Sequence, residues 1–369
     1  MIFSVKLRLP ILIFSTIVFC ANGLMSQSKD TVRTRLYLIG DTGKKAIISK
    51  NYTRFSQAIS ADTPSCVLYL GDNVYPKGIR PEGDKHHDED VLKLKIQLNL
   101  LKNHRGQAYM IPGNHDWQMG KTHGLEYVER ESNLVNQYMR DSLKQYTSEQ
   151  AHYFQYAGLP GPEKIELDGI TLLMIDTDWW VHNQLFHPVK LIDNSKSKTE
   201  ALFFEKLDAY LKEAESKGQK IAIVSHHPLY FTGANSTKMQ PIRFLINYTP
   251  FAIFGVAGLY RAARGMSPQP SYKRMVKKFE KHIAPYKHIT WISGHDHDQQ
   301  IIIKNNVTQI VCGNGGETRK VNNRDKMVSW YNDDVKGFGK IELSNSGVLQ
   351  LFFYDEEGKE LYKKVIANY

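Results

Sequence analysis

The sequence predicts an α/β fold, and two observations carry the prediction. Short apolar runs alternate with longer amphipathic ones, the pattern of strands layered against helices. Five of the apolar runs end in Gly or Ser followed by Asp, Asn or His, and open α/β sheets place their sites outside the carboxyl ends of strands.

The candidate strands are residues 35–40 (RLYLIG), 66–71 (CVLYLG), 108–112 (AYMIP), 170–176 (ITLLMID), 220–225 (KIAIVS) and 289–293 (ITWIS). Between the first two, Ile48, Tyr52, Phe55 and Ile59 fall at helical spacing and predict a crossover helix. The segment 91–103 (VLKLKIQLNLLKN) also alternates with period two through Leu92, Leu94, Ile96, Leu98 and Leu100. It is read as a helix because neighbouring parallel strands need a crossover connection. Residues 199–217 carry Phe203, Leu207, Tyr210 and Ala214 on one face and predict another helix. After residue 300 the chain reads as strands joined by turns, QIIIK, VTQIVC, GFGKIEL, VLQLFFY and LYKKVIA. They are expected to make a second sheet that closes the domain.

The first residues place Lys6 and Arg8 before an apolar run from Leu9 to Cys20, followed by the small-residue stretch Ala21-Asn22-Gly23. This reads as a secretory signal peptide over 1–23, followed by an N-terminal extension over 24–33 and a domain over 34–369. The run is shorter than the roughly 20 apolar residues a membrane span needs. An uncleaved anchor and acylation of Cys20 are the alternatives. The chain is therefore expected to be exported, secreted or periplasmic. Its formal charge of +10 loses only the contributions of Lys6 and Arg8 on cleavage, so the remainder stays basic, which suits anionic substrates or surfaces. No aromatic-interleaved basic patch argues for nucleic acid. Cys66 and Cys312, both in apolar runs, are too few for a disulfide framework and read as buried thiols.

The chemistry-bearing motifs are Gly40-Asp41-Thr42-Gly43, Gly71-Asp72-Asn73-Val74-Tyr75, Gly113-Asn114-His115-Asp116, Ser225-His226-His227-Pro228 and Gly294-His295-Asp296-His297. Carboxylates, imidazoles and an amide oxygen suit borderline to hard ions, and no cysteine cluster competes. A spacing of two points His295 and His297 to the same side of an extended loop, so each can serve one of two adjacent ions.

The ordered set GDTG, GDNVY, GNHD, SHHP and GHDH, spanning residues 34 to about 300, resembles the calcineurin-like metallophosphoesterase superfamily and, within it, the purple acid phosphatase-like branch. The resemblance implies a four-layer α/β/β/α sandwich of two mixed sheets with a dinuclear centre. One ion would take Asp41, Asp72, Tyr75 and His297. The other would take Asp72, Asn114, His226 and His295, with Asp72 bridging. It implies a catalytic role for His115 in orienting phosphate or assisting the leaving group, with Asp116 supporting it. Either imidazole of SHHP could ligate; the family's placement favours His226 and leaves His227 to contact substrate. Most of the superfamily has a histidine where this chain has Gly43, and the branch replaces it with the tyrosine of Gly-Asp-x-x-Tyr, here Tyr75. A phenolate favours Fe(III), beside a divalent Fe, Zn or Mn ion.

The implied activity is an exported acid phosphomonoesterase that uses a metal-bound hydroxide for in-line attack on a small phosphorylated substrate. A phosphodiesterase or pyrophosphatase on the same centre is the alternative, and a non-catalytic scaffold of the same fold is the second. Three further segments are read more plainly. Residues 84–90 (DKHHDED) are read as a solvated loop on the rim of the site, with metal recruitment the alternative, and Trp179-Trp180 is core or pocket wall. The insertion 232–270 is ordinary loop, substrate lid or, through 244–260, a peripheral membrane contact.

Overall fold

A computed structural model describes residues 30–62, 64–155, 158–181, 189–230, 270–321 and 328–367. In chain order the elements are β1 (Val32–Ile39), α1 (Lys50–Ala61), β2 (Ser65–Tyr69), α2 (His87–Asn99), β3 (Gly106–Met110), α3 (Gly124–Ser142), β4 (Ala151–Tyr153), β5 (Glu163–Leu167) and β6 (Ile170–Met174). There follow α4 (Asp178–Val181), α5 (Lys196–Ser216), β7 (Lys220–Ser225), α6 (Pro270–Ile283), β8 (Ile289–Ser293), β9 (Gln299–Lys304), β10 (Val307–Cys312), β11 (Val328–Asn332), β12 (Gly337–Ser344), β13 (Leu349–Asp355) and β14 (Glu360–Ala367).

Among the described residues the strands make two seven-stranded sheets, in the orders β14-β13-β12-β1-β2-β3-β4 and β11-β9-β10-β8-β7-β6-β5. β1 to β4 run parallel, as do β6, β7, β8 and β10; β12 to β14, β5, β9 and β11 add antiparallel edges. Both sheets are therefore mixed, and helices pack on them, the layered α/β arrangement that the resemblance implies. The expectation that strands after residue 300 form a sheet of their own is corrected. β9 to β11 extend the second sheet, whereas β12 to β14 cross back to pair beside β1 in the first.

Period-two alternation explains the layers. In β6, Leu172 and Met174 pack in a core shared by both sheets, while Leu173 joins α5 and α6 residues such as Phe203, Leu207 and Phe279. β7 divides the same way, Ala222 and Val224 inward, Ile221 and Ile223 toward the helices. Strands buried on both faces read as nearly continuous apolar runs, which is how they stood out in the sequence. Cys66 and Cys312 are buried free thiols, and Trp179 and Trp180 belong to the helix-side core.

α1 begins where Ser49 accepts a hydrogen bond from the Tyr52 backbone N–H, relieving one orphan donor of the first turn. It buries Tyr52, Phe55 and Ile59 on one stripe. In α2 the ambiguity of the period resolves through Leu92, which is 48% exposed while Leu94, Ile96 and Leu98 are buried; a strand would turn all four the same way. α2 also starts earlier than expected, and residues 84–90 are not wholly a solvated loop. Asp90 is buried in the first turn and receives two hydrogen bonds from the Arg80 guanidinium, at 2.6 and 2.8 Å. The insertion 232–270, save its last residue, lies outside the described residues, as does the segment 1–29. Among the described residues no helix is long and apolar enough to cross a membrane.

Candidate metal centre

All five motifs sit just past strand ends. Asp41 follows β1, Asp72 and Tyr75 follow β2, and Asn114 to Asp116 follow β3. His226 and His227 follow β7, and His295 and His297 follow β8. The loops are held against each other by backbone hydrogen bonds, Asp41 N–H to Gly71 C=O at 3.0 Å and Gly294 N–H to His226 C=O at 3.1 Å.

Three of these residues pay no regard to ordinary backbone preference: Asp41, Asp72 and His295 have φ of 56°, 54° and 66°. Left-handed backbone at a residue with a side chain costs free energy and persists where surrounding structure fixes it, commonly at functional sites. Glycines supply the close approach. A Cβ on Gly113 would lie 2.4 Å from the Asp72 carboxylate, and one on Gly294 2.7 Å from Asp41 Oδ2.

The side chains converge in two groups. In the first, Tyr75 Oη lies 3.0 Å from Asp41 Oδ1, 2.8 Å from Asp72 Oδ2 and 3.0 Å from His297 Nε2. Donor atoms of Asp41, Asp72 and His297 all lie within 4.8 Å of one another, buried. In the second, Asn114 Oδ1 is 3.1 Å from His226 Nε2 and 2.9 Å from His295 Nδ1, and the two imidazoles approach to 3.2 Å. Asp72 joins them. Its Oδ2 faces Tyr75, and its Oδ1 lies 3.4 Å from His226 Nε2.

Tautomers make this a set of acceptors. His226 Nδ1 lies 2.8 Å from the Leu70 carbonyl, so that nitrogen carries the proton and Nε2 turns its lone pair on Asn114 Oδ1. His297 Nδ1 lies 2.9 Å from Glu317 Oε1 and its Nε2 faces Asp41 Oδ1 at 3.3 Å, the nitrogen at which a cation would replace the proton. An imidazole whose far N–H is held by a carbonyl or carboxylate is the arrangement of a metal ligand. Imidazole nitrogens, an amide oxygen and two carboxylates turned on one another fit cations, and the oxygen and nitrogen donor set fits hard to borderline ones.

Electrostatics agree. Burial opposes ionisation of Asp72, but His226, His115 and His295 around it hold its pKa far below the usual carboxylate range. Burial, then Asp41 and Asp72, drive the Tyr75 phenol far up; only a strong local cation reverses that order. The pKa of His297 is raised to about 9: burial works against its charge, but Asp41 and Glu317 prevail. Burial and the neighbouring His226 push His295 well down.

Around these groups the side chains fall into place differently from expectation. His115 donates its backbone N–H to Asp72 Oδ1 at 2.8 Å and sets its ring, tilted by 39°, with its centroid 4.0 Å from that of Tyr75. The partner of its Nδ1 is the Pro76 carbonyl, 2.7 Å away, which corrects the expectation that Asp116 supports the imidazole. Asp116 instead accepts from the backbone N–H groups of Gly113, Asn73 and Val74 at 2.8, 3.1 and 3.0 Å. It ties the Asn114 loop to the Asp72 loop. His227 is fully buried, its Nδ1 2.9 Å from Thr177 Oγ1 and its ring centroid 4.4 Å from that of His295; it packs behind a candidate ligand.

Glu317 was absent from the expected set. It sits in Gly313-Asn314-Gly315-Gly316-Glu317 after β10, a sixth strand end of the same kind as the other five, and that repetition is the signal that could have found it. Gly43 explains the missing histidine. A Cβ there would fall 2.0 Å from the Asn73 carbonyl oxygen, so no side chain fits, while Tyr75 Oη reaches Asp41, Asp72 and His297.

Comparison with known proteins places these features among relatives. Residues 34–313 match the profile of the family described as Calcineurin-like phosphoesterase. Among curated proteins, Glideosome-associated protein 50 of Plasmodium falciparum is 22% identical over 351 residues, covering 89% of this chain and 75% of its own length. Among solved structures, GAP50, described as the anchor in the inner membrane complex of Plasmodium, superposes with a TM-score of 0.54 at 18% identity over 92% of this chain and 90% of its own. A dimetal phosphatase from Danio rerio superposes at 0.51 with 10% identity, over 91% and 100% respectively.

Proposed function

The chain belongs to the calcineurin-like phosphoesterase family, and from that premise we propose that it is an exported dinuclear phosphoesterase of the purple acid phosphatase-like kind, acting on small phosphomonoesters. The observation that carries the reading is Asp72, whose two carboxylate oxygens face two different groups of donors. Asp41, Asp72, Tyr75 and His297 would hold one ion, and Asp72, Asn114, His226 and His295 the other. Bound ions would neutralise charge on a phosphoryl group and acidify a coordinated water.

The remaining work falls to the protein's own residues. His115 is anchored through Nδ1, so Nε2 is the atom it presents, 3.9 Å from Asp72 Oδ2, with the side chain 19% exposed. It is the group suited to give a proton to a departing alkoxide. Burial lowers its pKa, with Asp72 opposing, so the protonated imidazole gathers on the acid side of neutrality and supports an acidic optimum. Glu317 orients His297, and His227, held by Thr177, packs against His295. Support for the tyrosinate branch comes from Tyr75 Oη lying among Asp41, Asp72 and His297 and from the closed position at Gly43.

The test reconstitutes purified protein with iron, zinc or manganese and follows p-nitrophenyl phosphate and its bis ester across pH. Faster monoester turnover with an acid optimum is expected, and preference for the diester moves the assignment to phosphodiesterase. Iron-loaded wild type should show a visible charge-transfer band that Tyr75→Phe lacks; a colourless, active, iron-free enzyme removes the tyrosinate branch. One observation favours a second reading, a non-catalytic scaffold: the similarity over 89% of this chain to a protein named for its association with the glideosome. Absence of hydrolysis with every metal would support it.

A further inference from the structure

Two loops meet beside Tyr75. The backbone at Gly43 is pressed onto Asn73 and fixed by Gly43 N–H to Asp72 C=O at 3.2 Å and Tyr75 N–H to Gly43 C=O at 3.0 Å. The next side chain, Lys44, therefore emerges over the Tyr75 ring, its Nζ 5.0 Å from the centroid. The loop after β10 lies against the same strand end through Gly315 N–H to Gly40 C=O at 3.1 Å, with room for no Cβ on Gly316, which would sit 2.4 Å from the Asp41 carbonyl. Arg319 closes that loop by donating its backbone N–H to His297 C=O at 2.8 Å.

Glu317 joins the two cations. It lies 3.1 Å from Lys44 Nζ, 2.7 Å from Arg319 Nη2 and 2.9 Å from His297 Nδ1. Lys44 and Arg319 are 36% and 44% exposed, so both are accessible from solvent while anchored to the carboxylate that orients a candidate ligand. An ammonium has three donors and a guanidinium five, which leaves each with capacity beyond Glu317.

Resting on the phosphoesterase reading above, we propose that Lys44 and Arg319 form a clamp for a terminal phosphoryl oxygen and thereby select monoesters over diesters. A monoester dianion carries three terminal oxygens and two charges, a diester two oxygens and one charge. The extra oxygen is the one a pair of fixed cations recognises, and Glu317 holds both in place before substrate arrives.

The experiment uses zinc-reconstituted full chain, with Lys44→Gln, Arg319→Gln and Lys44→Arg beside wild type. Inorganic phosphate affinity is measured by titration calorimetry at a pH above its second ionisation, where the dianion prevails, together with metal content and kcat/KM for p-nitrophenyl phosphate and its bis ester. Each neutral variant is expected to weaken phosphate binding on the order of tenfold at unchanged metal content, and to lower the monoester-to-diester ratio by a similar factor. Lys44→Arg should recover most of the loss. Unchanged phosphate affinity, equal loss for both esters, or loss that follows metal content overturns the clamp. If wild type hydrolyses neither ester, the phosphoesterase reading fails and the phosphate titration alone decides: tenfold weaker binding in the variants upholds the clamp, and no binding to wild type or no change overturns it.

Discussion

Replacing Gly43 with alanine puts a methyl carbon 2.0 Å from the Asn73 carbonyl oxygen, 2.2 Å from its carbon and 2.5 Å from the Val74 nitrogen. Ordinary contact needs about 3.5 Å, so one backbone segment must retreat by roughly 1 Å or more. The segments are joined by the Gly43–Asp72 and Tyr75–Gly43 hydrogen bonds, each worth about 1 kcal/mol. Overpacking strain adds about 1–3 kcal/mol. The restricted unfolded chain returns about 0.5–1 kcal/mol, for a net loss of about 3 kcal/mol. Urea denaturation should show the midpoint falling with the slope unchanged. Gly339→Ala is the control, because the nearest atoms to its Cβ are in the Leu38 and Cys312 side chains at 3.4–3.5 Å, ordinary contact. Gly43→His should be no better than alanine and gain no ligand. A Gly43→Ala protein within about 1 kcal/mol of wild type would refute the claim that packing at this position excludes a histidine.

Glu317→Gln should weaken binding of the ion held by His297 about 10–100-fold, read by competition with a chelator, while leaving the far-UV circular dichroism unaltered. Asp116→Ala removes an acceptor from three buried backbone N–H groups and should cost roughly 3 kcal/mol or more, whereas Asp116→Asn, keeping one oxygen, should lose less; equal losses would contradict the clamp between loops. Burial pushes the His104 pKa down to about 4, against a smaller contribution from Ser65. The unfolded chain, with a pKa near 6.5, therefore binds the proton first, and stability falls as pH drops through that window, by at most about 3 kcal/mol. A His104→Asn variant should have a flatter stability profile between those values, and an unchanged slope would show that His104 is not responsible.

Much of the fold was legible because strands buried on both faces announce themselves as apolar runs, as ITLLMID and ITWIS do. The partition of the last strands was not, since GFGKIEL and VTQIVC look alike locally and only pairing with β1 or β8 separates them. α3 went unread between residues 113 and 170 because its buried Tyr127, Val128, Val135 and Met139 are diluted by polar residues and by the buried Glu131. Within the site, Gly-Asp and His-x-His spacing pointed to the candidate ligands, but the partners that orient them did not show. A carbonyl such as Leu70 O or Pro76 O has no side-chain signature, and a single Glu317 is one acid among many.

The candidate ligands are shared between the sheets: Asp41, Asp72, Tyr75 and Asn114 come from strand ends of the first, His226, His295 and His297 from the second. Neither candidate half-set is complete on one sheet, so the centre exists only once the halves have docked, and an ion bound there would act as a rivet across the seam. Metal supply would then become a variable of folding itself. A ligand free at 100 times its dissociation constant adds about 2.7 kcal/mol to the folded state, and a chain that leaves its compartment of synthesis unfolded would gain that increment only where the ion awaits it.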